Sequence, residues 1–564
     1  MDVENLALKY ALDNARKYGG KPNIGSVVGS IIAKEPKIKS DLKRFMPKIQ
    51  EVCKKVSKMS VDEQIRMLSK IAPELLEEKK VVQERTLKDL KNAEQGKVVL
   101  RLAPSPSGPN HIGHALVFTL NYLYKKKYDG KLILRIEDTN PDNIYEPAYK
   151  MIEEDWKWLT QDGIDEVVVQ SNRMETYYDY MHEILERSGA YVCTCNADKF
   201  RELIHKKQAC PCRDLDIKEQ LLRWDRMFVE LEPGDAVVRI KTDIAHPNPA
   251  MRDWAAFRIN HRTHPLTGSK YRVWPLMNFA VAIDDHELGI THTIRGKDHM
   301  DNAKRQQYIY DFFGWTAPER VFIGKINFEG FKVKTSLVKK DIERGVYSGW
   351  DDIRLPFLAA LRRRGFQPQA FHSFAMDVGL GLNDKVVPLD DFFKSIEAHN
   401  RKVIDPVANR YFFIPDPVLV RVEGAPDKRI RLKLHPDDPE RGFRELSTSS
   451  SIFVPKADLE RMEEGGLYRL MDFCNVEKKG ASLVFVSESL DEYRKRGKGS
   501  MQWLPETEDL LDVQVLLPNG SLVNGKGEPA LKNEKVGSIV QFERFAFCRL
   551  DSTDGSLSFW FTHK

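Results

Sequence analysis

The sequence predicts a multidomain α/β protein that begins with helices and ends in an all-β region. Its 564 residues exceed what one hydrophobic core usually supports. In the middle of the chain, strand-like and helix-like segments alternate, which is typical of a parallel sheet. After about residue 405, short alternating apolar segments are broken by Gly, Pro and Asp, as in β-barrels.

The composition is that of an ordinary folded protein. It has 41% hydrophobic and 30% charged residues and a mean hydropathy of -0.46. No window is long and apolar enough for a membrane span, and the first residues lack a secretory pattern, so we expect a cytoplasmic protein. The net charge of +5 comes from 88 basic and 83 acidic residues. Any nucleic-acid site must therefore be local.

The first elements follow from the spacing of apolar residues. Residues 1–95 are rich in Lys, Glu and Leu at helical spacing and predict a helical appendage. In residues 96–190, "KVVLRLA" and "KLILRIED" read as parallel strands on either side of a helix starting at "HIGHALVFTL". This range is the predicted first half of the α/β domain.

The second half is predicted over residues 266–345. Its strands are expected in "RVWPLMNFAVAIDD", "GITHTIRG" and "RVFIGKINF", with a helix in "MDNAKRQQYIYDFFGW". Residues 191–265 lie between the halves as an insertion, and 346–404 predict a helical connector. The all-β domain is expected over 405–564.

A histidine pair opens the first predicted helix of the α/β domain, although the sequence contains no glycine-rich phosphate loop. His111 and His114 are three residues apart, so both rings lie on one face of the first turn. Free backbone N–H groups and the helix dipole favour an anion there. Gly113 leaves a flat face, so a triphosphate and an adenine ring would suit this end. The alternative is a coincidental pair of surface histidines.

Four cysteines form a CxC-x14-CxC pattern in the insertion: Cys193, Cys195, Cys210 and Cys212. Two close pairs of thiolates are suited to one tetrahedral structural Zn²⁺. Reduced structural cysteines or two disulfides are the alternatives, and His205 is a candidate replacement for one thiolate.

Several of these motifs together resemble one family. "APSPSGPNHIGH" followed by "LRIEDTNP", and later "GITHTIRGKDH", "GWDDIRLP" and "NRKVIDP", resemble the glutamyl/glutaminyl group of class I aminoacyl-tRNA synthetases. The resemblance implies a Rossmann-type class I catalytic domain with an inserted subdomain that binds the acceptor end of tRNA. The all-β end resembles the anticodon-binding barrels of glutaminyl and of archaeal or eukaryotic-type glutamyl enzymes.

The resemblance also implies roles at the nucleotide. His111, Gly113 and His114 would bind ATP, and both histidines would stabilise the α-phosphate during activation. The family's KMSKS loop corresponds to "KVKTS", which agrees only in its first and last letters. Lys332, Lys334 and Ser336 would then contact the phosphates of ATP, which arrives with Mg²⁺. Either these lysines replace the usual geometry, helped by Lys339 and Lys340, or the loop is weakened.

For the amino acid, the resemblance assigns residues at strand ends. Glu137 would hold the α-ammonium, and Arg101 and Arg295 would contact an acidic side chain with help from Ser105. Arg295 favours glutamate over glutamine, since a guanidinium pairs with a carboxylate but leaves an amide partly unpaired. An ion pair of Arg295 with Asp284 or Asp298 is the structural alternative.

The resulting expectation is an ATP-dependent glutamate-tRNA ligase that works through a glutamyl-adenylate, with tRNA(Gln) kept open as a second acceptor. A glutaminyl-tRNA synthetase and a non-catalytic tRNA-binding paralogue are the alternatives. The Arg362–Arg364 run and "DKRIRLKLHP" supply local positive charge for a phosphate backbone, or else are solvated surfaces.

Overall fold

The computed structural model describes residues 3–17, 20–35, 38, 41–75, 86–329 and 335–564. The chain divides into two compact units, Met1–Arg85 and Thr86–Lys564. In the parts of the chain that are described, no helix has the length and apolar character needed to cross a membrane.

The first unit is helical, as predicted. Its helices are α1 (Val3–Lys17), α2 (Ile24–Lys34), α3 (Leu42–Val56) and α4 (Val61–Ile71). Each turns one apolar face toward a shared core, and α4 begins at a capping box between Ser60 and Glu63. The unit ends before the predicted boundary at residue 95, because Leu87 and Leu90 pack into the second unit.

The second unit begins with a three-stranded parallel sheet. Its elements are β1 (Val99–Leu102), α5 (Ile112–Tyr128), β2 (Lys131–Ile136), α6 (Ala148–Leu159), β3 (Glu166–Val169) and α7 (Met174–Glu186). The sheet order is β1-β2-β3, and Val99 pairs with Lys131. Leu120 of α5 and Trp156 of α6 are buried in its core. The predicted strand, helix and strand are confirmed.

An antiparallel sheet interrupts the parallel one. It contains β4 (Ala190–Cys193), α8 (Ala197–His205), α9 (Ile217–Val229), β5 (Val237–Ile240), β6 (Ala255–Ile259) and β7 (Val273–Pro275). The four strands pair in chain order. Because Phe257 of β6 pairs with Pro275 of β7, this sheet continues past residue 265, the predicted end of the insertion.

The parallel part then resumes with α10 (Met277–Glu287), β8 (His292–Gly296), α11 (Met300–Phe313), β9 (Glu319–Ile323), β10 (Ile326–Glu329) and α12 (Thr335–Glu343). The Thr291 N–H donates to Val99 O at 3.0 Å, so the start of β8 lies beside β1. The strand expected across "RVWPLMNFAVAIDD" is wrong after residue 276. Helix α10 is buried on several sides, and an apolar run alone does not distinguish a buried helix from a strand.

The connector is helical, with one short strand. It contains α13 (Leu358–Arg364), α14 (Pro368–Val378), β11 (Lys385–Pro388) and α15 (Leu389–Ile404). Strand β11 pairs in parallel with β10, which ties the connector to the α/β domain.

The remaining chain, here called the β region, is almost entirely strand. Its elements are β12 (Asn409–Tyr411), β13 (Phe413–Pro415), β14 (Pro417–Glu423), β15 (Arg429–Lys433), β16 (Phe443–Ser447), β17 (Ser451–Pro455), α16 (Lys456–Arg461), β18 (Leu467–Leu470), β19 (Asn475–Lys479), β20 (Ser482–Ser487), α17 (Leu490–Arg496), β21 (Gly497–Met501), β22 (Leu504–Pro505), β23 (Leu511–Leu516), β24 (Leu522–Gly527), β25 (Ile539–Phe542), β26 (Ala546–Ser552) and β27 (Leu557–His563). Two seven-stranded sheets have the orders β12-β25-β26-β27-β23-β24-β13 and β21-β18-β19-β20-β14-β17-β22. The multidomain α/β prediction with an all-β end is confirmed.

Candidate active site

A cavity of about 550 Å³ opens where β1, β2 and β8 end. Ligands of parallel α/β sheets bind at this edge. The residues that the sequence predicted and that line its wall are Arg101, Ser105, His111, Gly113, His114, Glu137 and Arg295. The fold therefore brings together side chains that lie nearly 200 residues apart in the chain. We call the two ends of this cleft the histidine end and the arginine end.

At the histidine end, backbone N–H groups hold both imidazoles. His111 is the N-cap of α5, and its Nδ1 accepts from the Gly113 N–H at 3.0 Å. The His114 Nδ1 accepts from the His111 N–H at 3.3 Å. Because each Nδ1 is an acceptor, the proton of each neutral ring is on Nε2. The two neutral rings thus each carry their proton on Nε2, with ring centroids 4.0 Å apart.

Desolvation by the surrounding protein keeps these rings neutral, although the His114 side chain is exposed at the cleft. Desolvation lowers the pKa of His111 to about 4. Desolvation, followed by the proximity of His111, lowers the pKa of His114 to about 3. Near neutral pH, this end therefore has hydrogen-bond donors and the positive end of α5, but no imidazolium charge.

Two glycines allow close packing at this end. A Cβ on Gly113 would lie 2.7 Å from Cε1 of His111, so any side chain would displace the imidazole. A Cβ on Gly108 would lie 2.2 Å from Cγ2 of Thr335, at the start of α12. The loop before α5 thus packs directly against Thr335 of the predicted lysine loop.

The predicted lysine loop is only partly described. Lys332 and Lys334 lie outside the described residues. Ser336 is described and exposed on α12, but it is not on the cavity wall, where Thr335 lies instead. The Lys339 ammonium lies 4.7 Å from the ring centroid of Tyr145.

At the arginine end, a buried carboxylate organises the guanidinium groups. Asp285 of α10 accepts from Arg101 Nε at 3.2 Å and from Arg135 Nη1 at 2.6 Å. Burial alone would raise the pKa of Asp285, but the charges of Arg135 and Arg101 hold it below its ordinary value. Asp285 therefore stays ionised and fixes Arg101 at the cleft wall.

Arg295 lacks such a partner. Its Nη2 donates to the Gln306 amide oxygen at 3.0 Å, and its buried Nε–H has no hydrogen-bond acceptor. Burial, and then the nearby charge of Arg101, lowers the pKa of Arg295 to about 10. No ion pair to Arg295 occurs among the described residues. This arginine therefore places a buried positive charge on the cleft wall without a bonded carboxylate, and an anionic ligand would supply that partner.

The alternative partners proposed for Arg295 are occupied elsewhere. Asp284 accepts from Arg173 Nε at 2.8 Å and from the Tyr177 hydroxyl at 2.7 Å. Asp298 pairs with Lys325 at 3.1 Å. The interpretation of Arg295 as one half of an internal ion pair with either aspartate is therefore wrong.

Glu137 supplies negative charge between these arginines. It accepts from Arg135 Nη2 at 2.9 Å, and its backbone N–H donates to Pro104 O at 2.9 Å. Its side chain is 18% exposed and faces the cavity. The arginine end can thus receive a ligand carrying both carboxylates and an ammonium group.

The four cysteines meet in the insertion, as predicted. Their Sγ atoms all lie within 4.8 Å of one another, and all four thiols are free. The Sγ of Cys195 is 3.2 Å from that of Cys210 and 3.8 Å from that of Cys212. A tetrahedral Zn²⁺ with Zn–S bonds of about 2.3 Å needs sulfurs about 3.8 Å apart, so the cluster fits that ion. His205 is not among the ligand atoms that converge.

The comparisons with known proteins agree with this geometry. The family model "tRNA synthetases class I (E and Q), catalytic domain" matches residues 97–406. Models for the anti-codon binding domain of the same synthetases match residues 408–484 and 500–551. The chain belongs to this family.

Relatives match along the whole synthetase. The chain is 43% identical over 563 residues to a glutamate–tRNA ligase of Methanothermobacter thermautotrophicus, covering 100% of both proteins. It is 46% identical over 572 residues to a glutamate–tRNA ligase of Pyrococcus abyssi, covering 98% of both. A glutamate–tRNA ligase of Methanobrevibacter smithii is 42% identical over 568 residues, with 100% of both covered. A synthetase of this family uses ATP with Mg²⁺ and acts on tRNA.

Sequence reasoning missed the residues that support the synthetase's cleft. Arg135 and Asp285 fix the arginine end, and the buried Asp155 accepts from the Asn110 backbone N–H at 3.3 Å, next to His111. One signal was available, since Arg135 is two residues before Glu137 and alternate residues of a strand share a face. Asp155 has no such signal, because its partner is 45 residues away.

The basic runs of the synthetase differ from each other. On β15, Arg429, Arg431 and Lys433 alternate outward and are exposed, which agrees with a positive surface. The interpretation of the α13 arginines as a phosphate-binding run is wrong for two of the three. Arg363 is bonded to Asp351 and Asp551, and Arg364 is buried against backbone carbonyls. Arg362 lies 3.8 Å from a carboxylate oxygen of Glu154.

Proposed function

We propose that this synthetase ligates glutamate to tRNA in two steps at the cleft described above. One observation carries the choice of glutamate. Arg295 is a buried guanidinium on the cleft wall with an unbonded Nε–H and no carboxylate partner among the described residues. A glutamate γ-carboxylate would pair with its charge, whereas the neutral amide of glutamine would not. The names of the relatives support the same substrate.

In the first step, an oxygen of the glutamate α-carboxylate attacks the α-phosphorus of ATP. The bond from that phosphorus to the bridging oxygen of the β-phosphate breaks, so glutamyl-adenylate forms and pyrophosphate leaves. Mg²⁺ bound to ATP would neutralise part of the phosphate charge. The residues of the chain position the two reactants and bind the charge that develops.

We assign the histidine end to the phosphates. The Nε2–H groups of His111 and His114 would donate to α-phosphate oxygens, and the first N–H groups of α5 would add to the same field. These donors are held by backbone hydrogen bonds before ATP arrives, so they need little reorganisation during the reaction. Lys332 and Lys334 stay predictions as contacts for the leaving pyrophosphate.

We assign the arginine end to the amino acid. Arg295 would bind the γ-carboxylate, with the Nη groups of Arg101 beside it, since the Nε of Arg101 already donates to Asp285. Glu137 would accept from the α-ammonium, and Ser105 lies on the same wall. Binding both ends of glutamate would hold its α-carboxylate at the α-phosphate.

In the second step, a hydroxyl of the terminal ribose of tRNA attacks the glutamyl carbonyl carbon, and AMP leaves. We propose that the insertion receives this end of tRNA, as the sequence resemblance implies, and that the β region binds the anticodon, as the descriptions of the family models suggest. A reaction on tRNA belongs where translation takes place, so a cytoplasmic location stays a prediction.

We propose that Cys193, Cys195, Cys210 and Cys212 hold a structural Zn²⁺. Four thiolates would fill a tetrahedral shell, so the ion would bind no substrate and would stabilise the insertion. Metal analysis of the purified protein should find about one zinc per chain. Cys210→Ser should lower the zinc content and the melting temperature together, whereas a wild-type protein free of zinc would contradict the assignment.

The test of function is pyrophosphate exchange into ATP with tRNA present, using glutamate or glutamine as substrate. We expect exchange with glutamate and little with glutamine. Exchange with glutamine alone would favour a glutaminyl-tRNA synthetase, and absence of exchange with both would favour a non-catalytic tRNA-binding protein. Charging of tRNA(Glu) and tRNA(Gln) transcripts with labelled glutamate then identifies the acceptors.

A further inference from the structure

Helix α13 is bonded at its start to the loop that ends at His111. We call residues 103–111 the histidine loop. The Leu358 N–H donates to Asn110 O at 2.9 Å, and the Ile112 N–H donates to Pro356 O at 3.2 Å. His111 and Phe357 form an antiparallel bridge between these segments. The segment that begins α13 thus fixes the backbone on both sides of His111.

The other end of α13 is bonded to the β region. Arg363 Nε donates to Asp551 Oδ1 at 2.9 Å, and Arg363 Nη2 donates to Asp551 Oδ2 at 2.6 Å, so the two side chains pair through two parallel bonds. Asp551 belongs to β26, whose range is within the β region. The third donor, Arg363 Nη1, binds Asp351 at 2.9 Å, in the segment before α13.

Arg364 adds a second link to the same strands. It is 4% exposed, and its Nη2 donates to Thr562 O at 2.9 Å, while the Thr562 hydroxyl donates to Arg364 O. Gly365 follows with φ +98°, and a Cβ there would lie 2.9 Å from Oγ1 of Thr562. The backbone at the end of α13 is therefore packed directly against Thr562 of β27, with no room for a side chain at Gly365.

The helix between these contacts is short and stiff. Its seven residues span about 10 Å, at 1.5 Å per residue. Leu358, Ala360 and Leu361 are buried, so packing as well as hydrogen bonds holds the helix in place. If β26 and β27 moved, the short helix would move with them, and its bond from Leu358 would then shift Asn110.

We infer that α13 is a joint through which the β region positions the histidine loop, and that Arg363 and Asp551 are positioning residues for amino-acid activation. The inference rests on the proposed function for its catalytic consequence. The anti-codon binding models match the β region. Binding of tRNA to that region would therefore affect the position of His111 through the Arg363–Asp551 pair. A misplacement of about 1 Å at reacting groups costs as much as 100-fold in rate.

The test uses Arg363→Gln and Asp551→Asn in the full chain, with Arg496→Gln as control. Arg496 is paired with Glu492 and Glu477 inside the β region, so its replacement removes a similar ion pair without touching α13. We expect each joint variant to lower kcat of pyrophosphate exchange, measured with tRNA present, about tenfold, with the Kd for tRNA within about twofold of wild type. The effects of the two single variants should not add in the double variant, because both remove the Arg363–Asp551 pair. Each single variant also affects one further contact, Arg363 with Asp351 or Asp551 with Arg549.

Amide hydrogen exchange gives a readout that does not need activity. We expect faster exchange at Ile112 and Leu358 in both joint variants, and unchanged exchange there in Arg496→Gln. Faster exchange without any glutamate-dependent activity in the wild type would support the joint and contradict the proposed function. Wild-type exchange at both amides, or wild-type kcat in an active and folded Arg363→Gln, would overturn the joint.

Discussion

The arginines of the cleft and the arginines of α13 look alike in the sequence but differ in how their donors are used. At the cleft, Arg295 is buried with an unbonded Nε–H and no ion pair among the described residues. On α13, Arg363 binds two aspartates, and Arg364 donates to the carbonyls of Phe561 and Thr562. Both groups are positively charged, and the residue type does not show which donors are already bonded.

The difference separates a ligand site from a structural contact. A buried charge without a partner costs folding free energy, so a protein keeps it where a ligand supplies the partner. A charge that is paired with two carboxylates, as Arg363 is, stabilises the fold and leaves no charge for a ligand. A buried guanidinium on a cavity wall without a bonded carboxylate is therefore a better indication of an anion site than the number of arginines.

The largest effect is expected when this comparison is tested directly at Arg295. Arg295→Gln should lower kcat/KM for glutamate by about 1,000-fold, equivalent to about 4 kcal/mol, since the ligand carboxylate loses its buried partner. The melting temperature should stay the same or rise, because an uncompensated buried charge is removed. Pyrophosphate exchange and thermal unfolding measure the two quantities.

Arg364→Gln is the matched control, for which we expect a loss of stability and an unchanged KM for glutamate. It should lower the free energy of unfolding by about 2–3 kcal/mol, because buried carbonyls lose their donor. The KM for glutamate should stay within about twofold of wild type. The comparison would fail if Arg295→Gln were unstable with normal glutamate use.

A smaller effect is expected at Asp155, a buried carboxyl group that resembles Arg295 in lacking an ion pair. Burial raises its pKa to about 7, while Arg362 and the Asn110 N–H oppose that shift. Above its unfolded pKa, the folded state binds more protons than the unfolded state at this group. The stability that it contributes is thus present at low pH and is lost as pH rises through about 7.

Asp155→Asn should remove this pH dependence. Between pH 6 and pH 8 the wild type should lose about 1.4 kcal/mol more unfolding free energy than the variant. Denaturant unfolding of both proteins at the two pH values measures this difference. Because other groups titrate equally in both proteins, their contribution cancels in the comparison. Equal losses in the two proteins would mean that Asp155 is already ionised at pH 6.

The smallest effect is expected at Arg362, the α13 arginine on the surface. Its ion pair with Glu154 is long, at 3.8 Å, and solvent screens it. Arg362→Ala should change the free energy of unfolding by less than about 0.5 kcal/mol. If Arg362 contacted a phosphate, the slope of log Kd for tRNA against log salt would fall by about one, and we expect no such change.

Sequence patterns predicted the parts of the site that depend on local order. The spacing of His111 and His114 placed both rings on the first turn of α5, and CxC pairs predicted the thiol cluster. The apolar run of α10 misled the strand assignment, because burial on several sides removes the periodicity that separates a helix from a strand.

By itself, the sequence determined the order of the domains, the family motifs and which residue types stand at the ends of the parallel strands. Only the tertiary structure decided which of those charges are already paired, that Asp285 holds Arg101 and leaves Arg295 unpaired, and that Arg363 reaches a strand 188 residues further along the chain. The physical reason is that hydrogen bonding and burial depend on distances of a few ångströms between groups far apart in the chain. Local spacing carries no information about such distances.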